Sequence, residues 1–200
     1  MKRLVIMTVG KTHSGKTTFA HALEQRLKQS LVIDQDNHAA FINTYYNNLQ
    51  PKQGPNFLKN ALSNLIVDYA KKNTNFHLII CNSNRKRKDR SYLLEEVFPK
   101  KQFIRVIVYF DIPESVLEAR VSTTTRSTNI FQDAYSNFKD VLARQQDETF
   151  EKGFIDPVER EADHLLTVKD EKDVENVIEG IIHIANEAPS TVGGISIDKN

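Results

Sequence analysis

Gly10-Lys11-Thr12-His13-Ser14-Gly15-Lys16-Thr17 sets two glycines, a lysine and a hydroxyl at fixed spacing, and no other stretch constrains the chain as strongly. Glycine at positions 10 and 15 allows the backbone N–H groups between them to turn inward and converge. The run Leu4-Val5-Ile6-Met7-Thr8-Val9 enters this loop as an almost unbroken apolar strand of the kind buried on both faces of a parallel sheet. From Thr17 the pattern turns helical, with Phe19, Leu23 and Leu27 on one face and Glu24, Gln25 and Lys28 on the other. Strand, glycine loop and helix N-terminus together form a phosphate cradle, because inward amides and the positive end of the helix both favour an anion there. The contacts expected of bound nucleotide therefore come from Gly10, Lys11, Thr12, His13, Ser14, Gly15, Lys16, Thr17 and Thr18. Lys16 is expected to follow the β and γ phosphates and the Thr17 hydroxyl to ligate Mg²⁺, while His13 fills a free position as a spectator.

Further short apolar runs stand at Leu31–Ile33, His77–Cys81, Phe103–Phe110 and His164–Val168, with helical spacing between them. Helices are expected near Asn37 and over Asn56–Lys72, Lys88–Phe98, Pro113–Val121, Asp133–Phe150 and Glu171–Ala188. Such alternation predicts an α/β protein in which five parallel strands are flanked by helices, since parallel neighbours need long right-handed crossovers. The fold expected on this pattern is the three-layer P-loop NTPase arrangement, nucleotide-kinase-like with a short lid. One domain over residues 1–188 is expected, followed by a small, polar, frayed tail over 189–200.

The formal net charge of +1 gives no global drive toward nucleic acid or a membrane. Charge is uneven, however: Asp147 to Glu179 holds twelve acidic and four basic side chains, while Arg85 to Arg90 is mostly basic. Any polyanion contact should be local, weak and salt-sensitive. Cys81 stands alone, so no internal disulfide forms, and no Cys/His spacing suits zinc. The early apolar run is too short for a signal segment or a membrane span, and a reducing, cytoplasmic setting is expected.

The loop is shared by many phosphate-handling proteins. An Asn-Lys-x-Asp guanine reader and a Ser-Gly-Gly transporter signature are both absent from the sequence, which leaves kinases of nucleotides and small molecules in front. A switch ATPase would want an apolar strand ending in Asp, and Val106-Ile107-Val108-Tyr109-Phe110-Asp111 is the best match. Pro113 and Glu114 follow it, so Asp111 reads more readily as half of a capping box opening the next helix.

These residues carry a family resemblance. The loop, Asp36 after the second strand, Ile80-Cys81-Asn82-Ser83-Asn84 with Arg90 beyond it, and the stretch from Asp111-Ile112-Pro113 through Arg120 to Arg126 together resemble the kinases grouped with zeta toxins and the bacteriophage-type polynucleotide 5′-hydroxyl kinase domain. The resemblance runs from Leu4 to Val168, and Pro157-x-x-x-Glu161-Ala162-Asp163 resembles the family's approach to its last strand. Cys81 stands where members commonly carry Asp, and Ala39 where many carry Arg. The resemblance implies transfer of the γ-phosphate of ATP, with Mg²⁺, to a hydroxyl. Its acceptors range over nucleotide sugars, antibiotics, polynucleotide ends and other small hydroxyl compounds.

Either Asp34 or Asp36 can meet an acceptor hydroxyl at the carboxyl edge of the sheet, and the resemblance picks Asp36 as the group that orients it and receives its proton. The plainer alternative makes both caps of the next helix. Arg120 and Arg126 flank Thr123-Thr124-Thr125, a polar stretch suited to a lid, where guanidinium groups would neutralise a transferring phosphoryl group. Asn82, Asn84 and Arg90 are expected to touch the acceptor, and Arg85, Lys86, Arg87 and Lys88 to offer a phosphate or nucleic-acid contact. The competing reading is an ATPase switch that docks a partner through this basic run.

Overall fold

The computed structural model describes residues 2–51, 56–131 and 137–188. Five strands, β1 (Arg3–Val9), β2 (Ser30–Asp34), β3 (His77–Cys81), β4 (Phe103–Phe110) and β5 (His164–Val168), form one all-parallel sheet in the order β2-β3-β1-β4-β5. The helices are α1 (Lys16–Arg26), α2 (Gln35–Tyr45), α3 (Phe57–Asn73), α4 (Arg87–Tyr92), α5 (Glu114–Ser122), α6 (Phe138–Asp147) and α7 (Glu171–Glu187). β1 lies between β3 and β4: the chain runs from β1 to β2 on one side of it, and after β3 crosses over to β4 on the other. That switch point opens a crevice at its carboxyl end, where the glycine loop begins.

The alternation of β1 sorts the layers. Leu4 and Ile6 pack with Phe19 and Leu23 of α1 and with Ile178 and Ile181 of α7, all fully or nearly fully buried. Val5 faces the other way, against Val67 and Ala70 of α3 and the ring of Phe98. Each such aliphatic side chain contributes roughly 1.5–3 kcal/mol when withdrawn from water, so both faces of β1 hold the sheet under the loop.

Boundaries depart from the pattern where local hydrogen bonding overrides periodicity. α2 starts at Gln35, because Asp34 turns its side chain to accept from the Asp36 N–H. The helix expected over Lys88–Phe98 becomes a wider π-turn from Leu93 to Val97. The helix expected over Asp133–Phe150 is described from Phe138 and ends in a 3₁₀ turn at Glu148–Phe150; residues 132–136 lie outside the described part. The expected tail over 189–200 also lies outside it. The capping box of Asp111 and Glu114 is not formed. Pro113 is the cap residue of α5 with no side-chain bond, the Asp111 N–H donates to the Val168 carbonyl, and Glu114 pairs with Lys11 instead.

Candidate active site

A cleft of about 900 Å³ opens over the loop. α2, α3, α6 and α7 all begin with a side-chain cap, from Asp34, Asn56, Asn137 and Asp170. α1 does not: its cap position is Gly15 at φ 97°, no side chain bonds its first amides, and no acid stands in its first turn. The first residues of α1 line the cleft, so its orphan donors stand where an anion can take them. Gly10, at φ 154°, tolerates no side chain, since a Cβ there would lie 2.9 Å from Phe110 Cβ. Its N–H donates to the Ser83 carbonyl, which ties the loop to the end of β3.

Lys16 folds over the loop and donates to the Lys11 carbonyl and to Ser14 Oγ at 3.1 Å. Burial lowers its pKa to about 8, and Arg126 adds to this, partly offset by the Asp36 and Asp34 carboxylates. The Thr17 hydroxyl points at Asp34 Oδ2, 3.3 Å away, and approaches Cys81 Sγ at 3.7 Å. Asp34 is buried and Thr17 half-buried, so a hydroxyl and a carboxylate are presented together beside the glycine loop. The Cys81 thiol, pushed up to about 11 chiefly by burial and then by Asp34, stays protonated there. Asp36, the second residue of α2, is exposed enough to meet a ligand and is held by Arg126 at 2.7 Å.

The lid stretch closes one side. Arg120 donates to the His13 carbonyl at 3.2 Å and pairs with Glu171 at 3.1 Å. The Arg126 guanidinium lies over the Phe138 ring, and Asn129 bonds the Ala40 carbonyl and the Thr44 hydroxyl of α2. His13 is no spectator. Its backbone sits at φ 58°, its ring packs edge-on to Phe138, and its two nitrogens bond Thr12 Oγ and Thr124 Oγ. Burial, with Arg126, Lys16 and Arg120 nearby, depresses its pKa and keeps the imidazole neutral, so it links loop to lid without adding charge.

Asp34, Asp36, Asn82, Arg120 and Arg126 thus share one cleft with the loop, together with Ser83. Arg90 and Asn84, both expected to touch an acceptor, do not. Arg90 is fully buried and donates to both Glu161 oxygens and to the carbonyls of Asn84, Arg85 and Ile155. Asn84, buried at φ 45°, donates to the Thr8 carbonyl. The basic run is largely spent in the same way: Arg85 pairs with Glu148 at 3.0 Å, Lys86 covers the Phe154 ring, and Arg87 approaches Glu161. A charge run reads as a surface in sequence; here the acidic segment beyond Asp147 folds back and neutralises much of it.

Gln145 escaped sequence reasoning altogether. It sits in α6 at 6% exposure, and its Oε1 accepts the Thr12 N–H at 2.6 Å. A lone glutamine in a helix carries no spacing signal, so only the fold brings it to the loop. Among the described residues no group of three or more His, Cys, Asp or Glu is placed to hold a metal by itself, and no helix is long and apolar enough to cross a membrane.

The AAA domain family matches residues 5–151, more than half of the chain, and the chain belongs to that family. No curated protein matches it in sequence. Solved structures share its fold, among them an APS kinase, a shikimate kinase and a tunicamycin resistance protein. The APS kinase of Mycobacterium tuberculosis, in complex with AMPPNP and APS, is 17% identical with a TM-score of 0.55 over 92% of this chain and 98% of that one. The shikimate kinase of Bacteroides thetaiotaomicron is 12% identical, with a TM-score of 0.54 over 92% and 98%. The tunicamycin resistance protein of Deinococcus radiodurans is 18% identical, with a TM-score of 0.55 over 92% and 96%. The five-stranded parallel sheet flanked by helices is thus the α/β architecture of P-loop kinases.

Proposed function

We propose that this member of the AAA domain family is an ATP-dependent phosphotransferase, acting on a hydroxyl of a nucleotide, a polynucleotide end or another small molecule, in the manner of the zeta-toxin and polynucleotide-kinase group. The observation that carries this reading is the position of Asp36. Its carboxylate stands in the wall of the same cleft as Lys16 and the uncapped start of α1, and it is held by a lid arginine. A carboxylate so placed can orient an acceptor hydroxyl and take its proton, and because it could serve a water in the same way, dependence of transfer on an acceptor is what separates this reading from hydrolysis.

In this reading the loop amides and Lys16 hold the nucleotide phosphates. Thr17 fits Mg²⁺, a hard cation that takes few protein oxygens besides water and phosphate, and the Asp34 carboxylate 3.3 Å from that hydroxyl completes an all-oxygen setting. The bound ion would supply charge neutralisation at the phosphates. Asp36 orients the acceptor, and Arg120 and Arg126 neutralise the moving phosphoryl group. Asn82 and Ser83 line the acceptor side with Lys59 and Phe131. The bond broken joins the γ-phosphorus to its bridging oxygen; the new bond joins it to the acceptor oxygen, whose proton passes to Asp36.

The test is a screen with γ-labelled ATP across nucleosides, nucleotides, oligonucleotide 5′ ends, sugars and aminoglycosides. Label is expected in one acceptor class and to depend on it. Stoichiometric phosphate release that ignores every acceptor would instead establish the ATPase switch.

A further inference from the structure

The Lys11–Thr12 peptide is fixed on both sides. Its carbonyl accepts from Lys16 Nζ, and its N–H donates to Gln145 Oε1 at 2.6 Å. An amide N–H can only face the oxygen of a side-chain amide, so this bond sets which way the Gln145 head group is turned. Its NH₂ is then directed away from the loop backbone.

That NH₂ carries two donors and has no hydrogen-bond partner among the described residues, although Gln145 is only 6% exposed. It is not sealed in protein either, because among the described residues no fully buried side-chain nitrogen or oxygen is left without a hydrogen-bond partner. Gln145 lines the cleft over the loop, which supplies open space for the surface its NH₂ retains. Unpaired donors on a nearly buried side chain are costly unless water or a ligand takes them. α6 holds the group rigidly: Phe138, Val141 and Leu142 are buried on the same helix, and the Gln145 carbonyl accepts from Thr149.

We infer that Gln145 donates its side-chain N–H groups to the terminal phosphate of the bound nucleoside triphosphate, so that α6 reads the presence of that phosphate directly. The assignment rests on the proposed nucleotide-binding function and places one more contact in that cleft. The ligand chemistry follows from the donor. The NH₂ group has no acceptor capacity, so it suits phosphate oxygen, and the peptide it flanks is the one that Lys16 grips from the other side. Lys16 marks where the β and γ phosphates lie. Because Gln145 joins the loop through Thr12, occupancy by a triphosphate would be felt in α6 and, through Phe138, in His13 and Arg126.

The test compares two variants by calorimetric titration of AMPPNP and of ADP, each with Mg²⁺. Gln145→Glu keeps an oxygen for the Thr12 N–H but offers lone pairs and charge in place of the donors. Gln145→Leu removes both functions. For Gln145→Glu, AMPPNP binding should weaken about 10- to 100-fold, the range for a lost hydrogen bond to a charged group. ADP binding should change far less, and unchanged melting and retained ADP affinity would show the protein folded. Equal affinity of Gln145→Glu and wild type for AMPPNP would overturn the assignment and leave Gln145 as a loop anchor alone. Equal losses for ADP and AMPPNP in Gln145→Glu would overturn it too, since the contact would not belong to the terminal phosphate. Loss of affinity for both nucleotides in Gln145→Leu alone, with Gln145→Glu unaffected, likewise assigns a purely anchoring role. If wild type itself binds neither nucleotide, the proposed function fails, an outcome distinct from all of these.

Discussion

Arg126 donates to Asp36 at 2.7 Å, so the carboxylate assigned to the acceptor and the lid guanidinium assigned to the phosphoryl group neutralise each other across the cleft. Both side chains keep about a third or more of their surface exposed, and an exposed pair of this kind contributes at most about 1 kcal/mol. In the proposed reaction a hydroxyl that reaches Asp36 would displace Arg126 at little cost and free its guanidinium toward the phosphates, so the same two residues would serve the resting pair and the working arrangement.

Asp36→Asn keeps the size and removes the charge and the basicity. ATP affinity should survive, and transfer to the acceptor found in the screen should fall roughly 10²- to 10⁴-fold, the usual contribution of a positioned base. Near wild-type transfer would refute the assignment and move attention to Asp34. That residue is buried, bonded to Thr17 and used as the cap of α2, so Asp34→Asn is expected to disturb the metal side more than the acceptor.

Arg126→Ala should lower kcat on the order of 10²- to 10³-fold, as removal of a donor to a developing anionic centre does. Arg126→Lys should rescue this poorly, because an ammonium can neither fork between Asp36 and phosphate nor lie flat over the Phe138 ring. Steady-state kinetics that show only a KM effect would place Arg126 in binding and not in transfer.

The fold was legible because its signals are local and repeated. Strands β3, β4 and β5 coincide with the apolar runs that announced them, and the glycine spacing located the loop. Residues acting by side-chain charge alone were read less well. Arg90 looked like a free cation, but its partner Glu161 stands far along the chain, and only the return of the acidic segment unites them. Asn84 is neutral and is taken by the Thr8 carbonyl of β1, a partner no local spacing reveals, and Gln145 gives no signal. His13 sits at a loop position that constrains nothing locally, so its contacts with Thr124 and Phe138 arise only when lid and loop meet.

The burial of Arg90 changes what a basic-run experiment should show. Arg90→Ala strands a buried Glu161 carboxylate and is expected to destabilise the fold by about 3–5 kcal/mol, visible as a lower melting temperature. Arg87→Ala should leave stability nearly unchanged, since its contact with Glu161 is long and exposed. Oligonucleotide binding by the wild type should be weak and lost with salt, given how few of these cations remain unpaired. Tight binding at high salt that Arg87→Ala and Lys88→Ala abolish would overturn this.

The depressed pKa of Lys16 gives the nucleotide a pH signature. In the free protein, burial holds the ammonium near 8, so it is charged below that value and loses its proton as pH rises through it. Phosphates must meet the charged form and, once bound, raise its pKa again. Between the free and bound values, binding therefore takes up a proton, and affinity should fall by up to about tenfold per pH unit, since each unit is worth about 1.4 kcal/mol. Titration of AMPPNP in two buffers of different ionisation enthalpy at pH 8.5 should reveal that uptake, and at pH 7 it should shrink. The sign for folding is opposite: the free protein gains stability from this group as pH rises from about 8 toward the ordinary lysine value, where only the unfolded chain holds the proton. Lys16→Arg stays charged throughout and should flatten the affinity profile even if binding weakens, whereas Lys16→Ala should abolish turnover at every pH. An affinity profile of the wild type that is flat from pH 7 to 9.5 would show that Lys16 is not the group that meets the phosphates.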